Sequence, residues 1–365
     1  MNREIEYPLN MNQILTKAVE KNSSDVHIVP FVPPIFRINR NLLQTDYPKL
    51  RPEVIKELLA QIIKPHQFEM LHKDLELDFS YAIPGVARFR GNVMYQRGTQ
   101  TLAMRIIPFR IPNINELGLP PGIRDLCFLP RGLVLITGPT GSGKSTTLAA
   151  LIDVINSERN LNIVTIEDPI EFLHPHKKSS LKQREVGTDT RSFNNALRHV
   201  LRHDPDVILI GEMRDPESIA IALTAAETGH LVFSTLHTQT APLTINRIVD
   251  AFADHQRDHI RQQLSGSLQA VLSQQLIPNI KGDKRVLASE FLKANNAVRS
   301  MIRDGKEHQL YSVMQSSQAT GMHTMDQSLA KLCLSGKITG VEAVEKCIDR
   351  TEIERLLQGR FVAGA

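Results

Sequence analysis

An α/β fold in two domains is what the sequence predicts, on three observations. Up to about residue 107, short runs alternate apolar and polar residues, the pattern of strands with one wet face. From Arg131 onward the runs become continuously apolar and are separated by helical stretches, as in a parallel sheet with helical crossovers. Between these regions, PFRIPNINELGLPPG (108–122) holds four prolines and two glycines without a sustained period. That is the composition of an ordered linker. A chain of 365 residues, at roughly 150 residues per domain, accommodates two or three domains.

Residues 11–22 read as a short helix. SSDVHIV (23–29) and PPIFRINRNL (33–42) read as two strands, with the prolines marking a turn. In RPEVIKELLAQII (51–63), Val54, Leu58, Leu59 and Ile62 share one helical face, and Pro65 ends the helix. LELDFSYAI (75–83), ARFRGNVMYQRG (87–98) and TLAMRII (101–107) add three strands, closing a small α+β domain over 1–107. In the second domain, 123–365, the buried strands are GLVLITG (132–138), NIVTIED (162–168), DVILIGE (206–212) and LVFSTLH (231–237). Helical periodicity over 255–278 and 323–349 predicts a mostly helical C-terminal end.

Hydrophobic residues at 41% and charged residues at 22% exclude wholesale disorder. Lys plus Arg is 43 against Asp plus Glu 39, a net +4, too small to predict direct nucleic-acid binding. Cys127, Cys333 and Cys347 form no C-x-x-C pair, which disfavours a zinc ribbon or disulfide scaffold and suits a reducing compartment. The first residues, MNREIEYPLNMNQIL, lack the apolar stretch of a signal peptide, and no run approaches 18 apolar residues. A cytoplasmic location is therefore expected.

The strongest motif follows GLVLIT. Gly138, Pro139, Thr140, Gly141, Ser142, Gly143, Lys144 and Ser145 satisfy G-x-x-x-x-G-K-[ST], and TTLAALIDVIN, beginning at Thr146, opens a helix behind it. Glycines let backbone N–H groups curl around the phosphates of ATP, and Lys144 reaches the β- and γ-phosphates. The Ser145 hydroxyl is placed to meet Mg²⁺. DVILIGE ends on Glu212, a carboxylate at the C-terminal end of a strand, where it can polarise an attacking water. The preceding position, an Mg²⁺-binding Asp in many such proteins, is Gly211, so metal binding leans on Ser145 and ordered waters, and Glu167 or Asp168 can supply a further acid, directly or through water. His199/His203 and His255/His259 have i,i+4 spacing but no third ligand, and are read as helix-surface residues. His230 and His237 bracket a strand, with His237 at the phosphate end.

TIEDPIEF (165–172), QREV (183–186), ALRHVLRHDPDVILIGEMRD (196–215), LTAAETGHLVFSTLHT (223–238) and LSGSLQAVLSQQLI (264–277) resemble the secretion ATPase superfamily of type II secretion, type IV pili and type IV secretion. The likeness runs from about Ser23 to Leu334 and is greatest to its pilus-retraction branch. It implies a PAS-like N-terminal domain and a RecA-like P-loop ATPase domain. It also implies an Asp box at Thr165–Glu171, a Walker B at Asp206–Glu212 and a His box at Gly229–His237, making Glu167, His230 and His237 candidate catalytic residues. FRGN and YQRG match the stretch whose arginines reach the γ-phosphate of nucleotide on the same or a neighbouring subunit, so Arg90, Arg97 and Arg105 are candidates. Lack of a tetracysteine zinc loop and of a long N-terminal extension points to retraction motors. So does Ala297-Val298-Arg299-Ser300-Met301-Ile302-Arg303-Asp304, which keeps the spacing and both arginines of their AIRNLIRE signature. The resemblance further implies a homohexamer acting on an inner-membrane pilus platform protein, peripherally attached to the membrane through the pilus machine. Pilus-extension or secretion ATPases and a nucleic-acid translocase are the competing expectations.

Overall fold

Period-two alternation builds an antiparallel sheet in the first of two units, Met1–Arg110 and Ile111–Ala365. The computed structural model describes residues 9–38, 41–107 and 110–357. The first unit runs α1 (Met11–Glu20), β1 (Asp25–Ile28), β2 (Ile35–Ile38), β3 (Asn41–Gln44), α2 (Pro52–Ala60), α3 (Pro65–Asp74), β4 (Glu76–Ile83), β5 (Ala87–Gln96) and β6 (Thr99–Ile107). Strand order is β3-β2-β1-β6-β5-β4, antiparallel throughout. One sheet face, with Val26, Phe36, Phe89 and Met104, is buried with Ile14, Leu15, Ile55, Leu58 and Leu59 of the helices. The β5–β6 hairpin turns on Arg97 and Gly98, both at positive φ (48° and 76°), which matches the right-handed twist of the strands.

Pro65 lies beyond the end of α2 but also opens α3, an unforeseen helix. At the first helical position proline's missing N–H costs nothing, and α3 fully buries only Leu71, so no apolar stripe marked it. The strand expected over 33–42 is divided between β2 and β3, which pair with each other; residues 39 and 40 lie outside the described residues.

The second unit runs β7 (Gly132–Thr137), α4 (Lys144–Glu158), β8 (Asn162–Glu167), β9 (Ser180–Glu185), α5 (Phe193–Val200), β10 (Val207–Ile210), α6 (Pro216–Glu227), β11 (Leu231–Leu236), α7 (Ala241–Asp250), α8 (Asp254–Ser267), β12 (Leu268–Pro278), β13 (Arg285–Lys293), α9 (Asn296–Arg303), α10 (Leu310–Ser316), α11 (Met325–Leu334), α12 (Gly340–Lys346) and α13 (Arg350–Leu356). Its sheet has the order β13-β12-β7-β11-β10-β8-β9, parallel except for β12–β13. Both faces are covered: Leu133 and Leu135 join the core formed with α5, α6, α7 and α8, while Val134 and Ile136 pack with Leu148, Leu151 and Ile155 of α4. From the stretch expected as linker, Ile114 packs into this second core, and Leu117 and Leu119 pack against it.

The helical expectation for 255–278 is corrected. Helix α8 stops at Ser267, and LQAVLSQQLIP is strand β12, paired with β7 and β13. A strand buried on both faces loses its period of two, and a short apolar run then reads as helix or strand alike. Strands β9 and β13 were missed for related reasons, one being a polar edge strand and the other mixed in burial. Among the described residues no helix is long and apolar enough to cross a membrane.

Candidate active site

Parallel pairing brings the C-terminal ends of β7, β11, β10 and β8 to one edge of the sheet, where ligands of open α/β sheets bind. The phosphate-binding loop leaves β7 there, with Gly138, Gly141 and Gly143 at φ of 139°, 78° and 91°. At Gly138 a Cβ would also lie 2.3 Å from the Gln274 carbonyl and 2.6 Å from Ser142 Oγ, so glycine is required twice over. Pro139, Thr140 and Gly141 form the exposed tip, Ser142 is buried, and Ser145 and Thr146 are half-buried in the first turn of α4. Lys144 Nζ donates to the carbonyls of Gly138 (2.8 Å) and Pro139 (3.1 Å). Burial lowers its pKa, and the carboxylates of Glu212 and Glu171 push it back up.

Glu212 stands two residues past β10. Its Oε1 lies 3.2 Å from His237 Nε2, and its Oε2 accepts a hydrogen bond from Arg214 Nε at 2.8 Å. Arg214 also reaches within 3.9 Å of Asp168, and the Glu212 contact raises its pKa. Two bonds tie this turn to β11: Thr235 Oγ1 donates to the Gly211 carbonyl (2.6 Å) and the Met213 amide to the Thr235 carbonyl (3.2 Å). The sequence singled out Glu212 and His237 but missed Arg214. Its only signal is a cation two residues past the glutamate in GEMRD.

His230 is not brought to this cluster. It precedes β11 whereas His237 follows it, and six strand residues span about 20 Å. Its Nδ1 lies 2.9 Å from the Ala225 carbonyl and 3.3 Å from Thr228 Oγ1, closing the C-terminal turn of α6 at the opposite edge of the sheet.

Glu167 ends β8, on the strand beside Gly211. Its Oε1 accepts from Thr165 Oγ1 (2.7 Å) and Gln183 Nε2 (3.1 Å). Burial raises its pKa, and these bonds with the Glu171 amide oppose the rise. A Cβ at position 211 would stand 3.2 Å from the Ile166 carbonyl and 3.3 Å from Glu167 Cα, so an aspartate there has little room. The donors at this edge, the Ser145 hydroxyl and the Glu167 carboxylate, are hard oxygens, which suit Mg²⁺.

The three candidate arginines belong to the first unit, and all are exposed. Register places Arg37, Asp25, Arg105, Arg90 and Ser80 in one row across five strands. Asp25 accepts from Arg105 Nε at 3.1 Å and lies 3.7 Å from Arg37 Nε. Arg97 occupies the tip of the β5–β6 hairpin.

Comparison with known proteins agrees with this architecture. The family described as type II/IV secretion system protein matches residues 4–332. The twitching motility protein of Neisseria gonorrhoeae is 46% identical over 90% of this chain and 87% of its own. The type IV pilus retraction ATPase PilT of Pseudomonas aeruginosa is 44% identical over 93% and 98%. A crystal structure of the pilus retraction motor PilT with bound ADP superposes with a TM-score of 0.90 at 48% identity, covering 95% of this chain and 99% of that one. The N-terminal domain followed by a RecA-like ATPase domain is thus the fold of this chain, and nucleotide is its ligand. The chain belongs to the type II/IV secretion family and is an ATPase of the twitching-motility type.

Proposed function

We propose that this ATPase powers type IV pilus retraction as a homohexamer. It would sit at the cytoplasmic face of the inner membrane and drive pilin disassembly through a platform protein. The observation that carries the motor reading is the Glu212–His237 pair beside Lys144, which supplies water activation next to a phosphate cradle. Near-complete coverage of a retraction ATPase by this chain supports the direction of work.

Backbone N–H groups of 140–145 and the Lys144 ammonium hold the β- and γ-phosphates. Ser145, with Glu167 directly or through water, would hold Mg²⁺, which supplies charge neutralisation between the phosphates. Glu212 takes the proton of the attacking water, and His237 and Arg214 hold its carboxylate in place. One or more of Arg90, Arg97 and Arg105 meets the γ-phosphate, on its own or a neighbouring subunit. Loss of that phosphate then releases the arginine that met it, which turns hydrolysis into motion.

Glu212→Gln is the test, and ATP affinity should stay within about threefold while turnover falls about 10²–10⁴-fold, the share of a positioned base. Cells carrying it should show excess surface pili and no twitching. Bare cells would make the protein an extension motor, and unchanged pili with normal twitching would move it to secretion. ATPase activity stimulated by DNA and lost steeply with salt would instead mark a translocase.

A further inference from the structure

Strand β13 carries a carboxylate where the fold least welcomes one. Glu290 has no exposed surface and sits between Ala288 and Phe291, both fully buried. Among the described residues no basic side chain pairs with it. Its Oε1 accepts the backbone N–H of Ala241 at 2.6 Å, the first residue of α7, whose positive dipole end suits a carboxylate. The Met325 amide, at the start of α11, also favours the charged form, although Oε2 makes no hydrogen bond of its own.

The register shows what this contact reaches. Glu290 lies opposite Ser273, Ser273 opposite Thr137 and Thr137 opposite Leu236, and Thr137 Oγ1 donates to Ser273 Oγ at 2.9 Å. This row ends one residue before Gly138 on β7 and one residue before His237 on β11. From His237 only Thr238, Gln239 and Thr240 separate the imidazole from Ala241. That link is fastened to α7: Thr244 Oγ1 donates to the Thr240 carbonyl (2.7 Å), which leaves Thr238 Oγ1 to donate to Thr244 Oγ1 (2.7 Å). Whatever fixes the first turn of α7 therefore fixes the exit of His237 from the sheet.

We propose that Glu290 is a positioning residue for ATP hydrolysis: by holding the Ala241 amide it anchors the Thr238–Thr240 link that sets His237 against Glu212. The proposal rests on His237 supporting Glu212, as argued above. Reach matters more than charge in this arrangement. Glu290→Asp keeps the charge but falls one methylene short of Ala241, whereas Glu290→Gln keeps an acceptor at full reach.

Steady-state kinetics of the full chain test this with both variants, with His237→Ala, and with Glu290→Asp and His237→Ala combined. Glu290→Asp should lower kcat about tenfold or more while KM for ATP moves less than about threefold, and Glu290→Gln should restore kcat to within about threefold. The double variant should be no more than about threefold slower than His237→Ala alone, because both changes remove one unit. Equal activity of the Asp and Gln variants, a KM that rises with the fall in kcat, or losses that multiply would each overturn the role of Glu290. A His237→Ala enzyme with full turnover would overturn the reading of His237 and Glu290's role with it.

Discussion

The two sheets of this chain put their polar residues to work in different ways. In the antiparallel sheet of the first unit, one face is buried and the other wet, so side chains in the middle of a strand meet solvent. Arg37, Asp25, Arg105 and Arg90 form their row there. In the second unit both faces of the parallel strands are covered; β7, β10 and β11 are buried along their whole length. Functional groups emerge only where strands end, and Lys144, Glu212 and His237 all follow C-terminal ends. The first sheet thus displays charge across a wet face, and the second concentrates chemistry at one edge.

Arginine replacement tests that contrast most severely. An arginine meeting a transferring phosphoryl group is worth about 10³–10⁵ in rate. Of Arg90→Ala, Arg97→Ala and Arg105→Ala, at least one should lose turnover on that scale. All three are exposed, so stability should stay within about 1 kcal/mol of the parent, the largest change falling on Arg105→Ala, which loses the pair with Asp25. Urea denaturation alongside ATPase assays separates the two effects. Three variants with near-normal turnover would break the comparison, leaving the first sheet's charged row without a part in hydrolysis.

The second contrast concerns charge that is buried instead of displayed. Burial pushes Glu290 from 4.5 up to about 7, the Ala241 and Met325 amides opposing the rise and Asp326 adding to it. Between these values the folded protein holds a proton that the unfolded chain releases. The stabilising contribution is therefore complete below about pH 4.5 and lost as pH climbs through about 7, on the order of 3 kcal/mol. Glu290→Gln has nothing to titrate, so its denaturation midpoint should fall less than the parent's between pH 5 and 7. Parallel pH profiles would show that Glu290 ionises much as it does in the unfolded chain.

These groups differ in how far the sequence revealed them. Phosphate binding demands glycines and a lysine at fixed spacing, so residues 138–145 were legible as a string, and Glu212 was legible from its place after an apolar run. His237 needed the resemblance as well as its strand-end position. Arg214 and Glu290 were missed because their meaning is tertiary; Glu290 meets Ala241 across 49 positions of sequence. Strand β12 was missed for the opposite reason. It follows α8 at the next residue, with no turn between Ser267 and Leu268, so its apolar run read as more helix. By contrast β7, β10 and β11, just as buried, stand apart from their helices and were read as strands.

Gly211 offers the smallest test, and it bears on why the second sheet's edge has the residues it has. Its backbone needs no glycine conformation, since φ is not among the positive values; the constraint is the approach of β8, 3.2 Å from the would-be Cβ to the Ile166 carbonyl. Gly211 also donates its N–H to that carbonyl at 2.8 Å, so the two strand ends cannot part without breaking a bond. Gly211→Ala should therefore cost about 1–3 kcal/mol of stability, the usual range for forcing a methyl into packed structure. Because Glu212 is the next residue, kcat should fall more than ATP affinity. A variant that loses stability while keeping full turnover would show that Glu212 is placed by its contacts with His237 and Arg214, not by the spacing of β8 and β10.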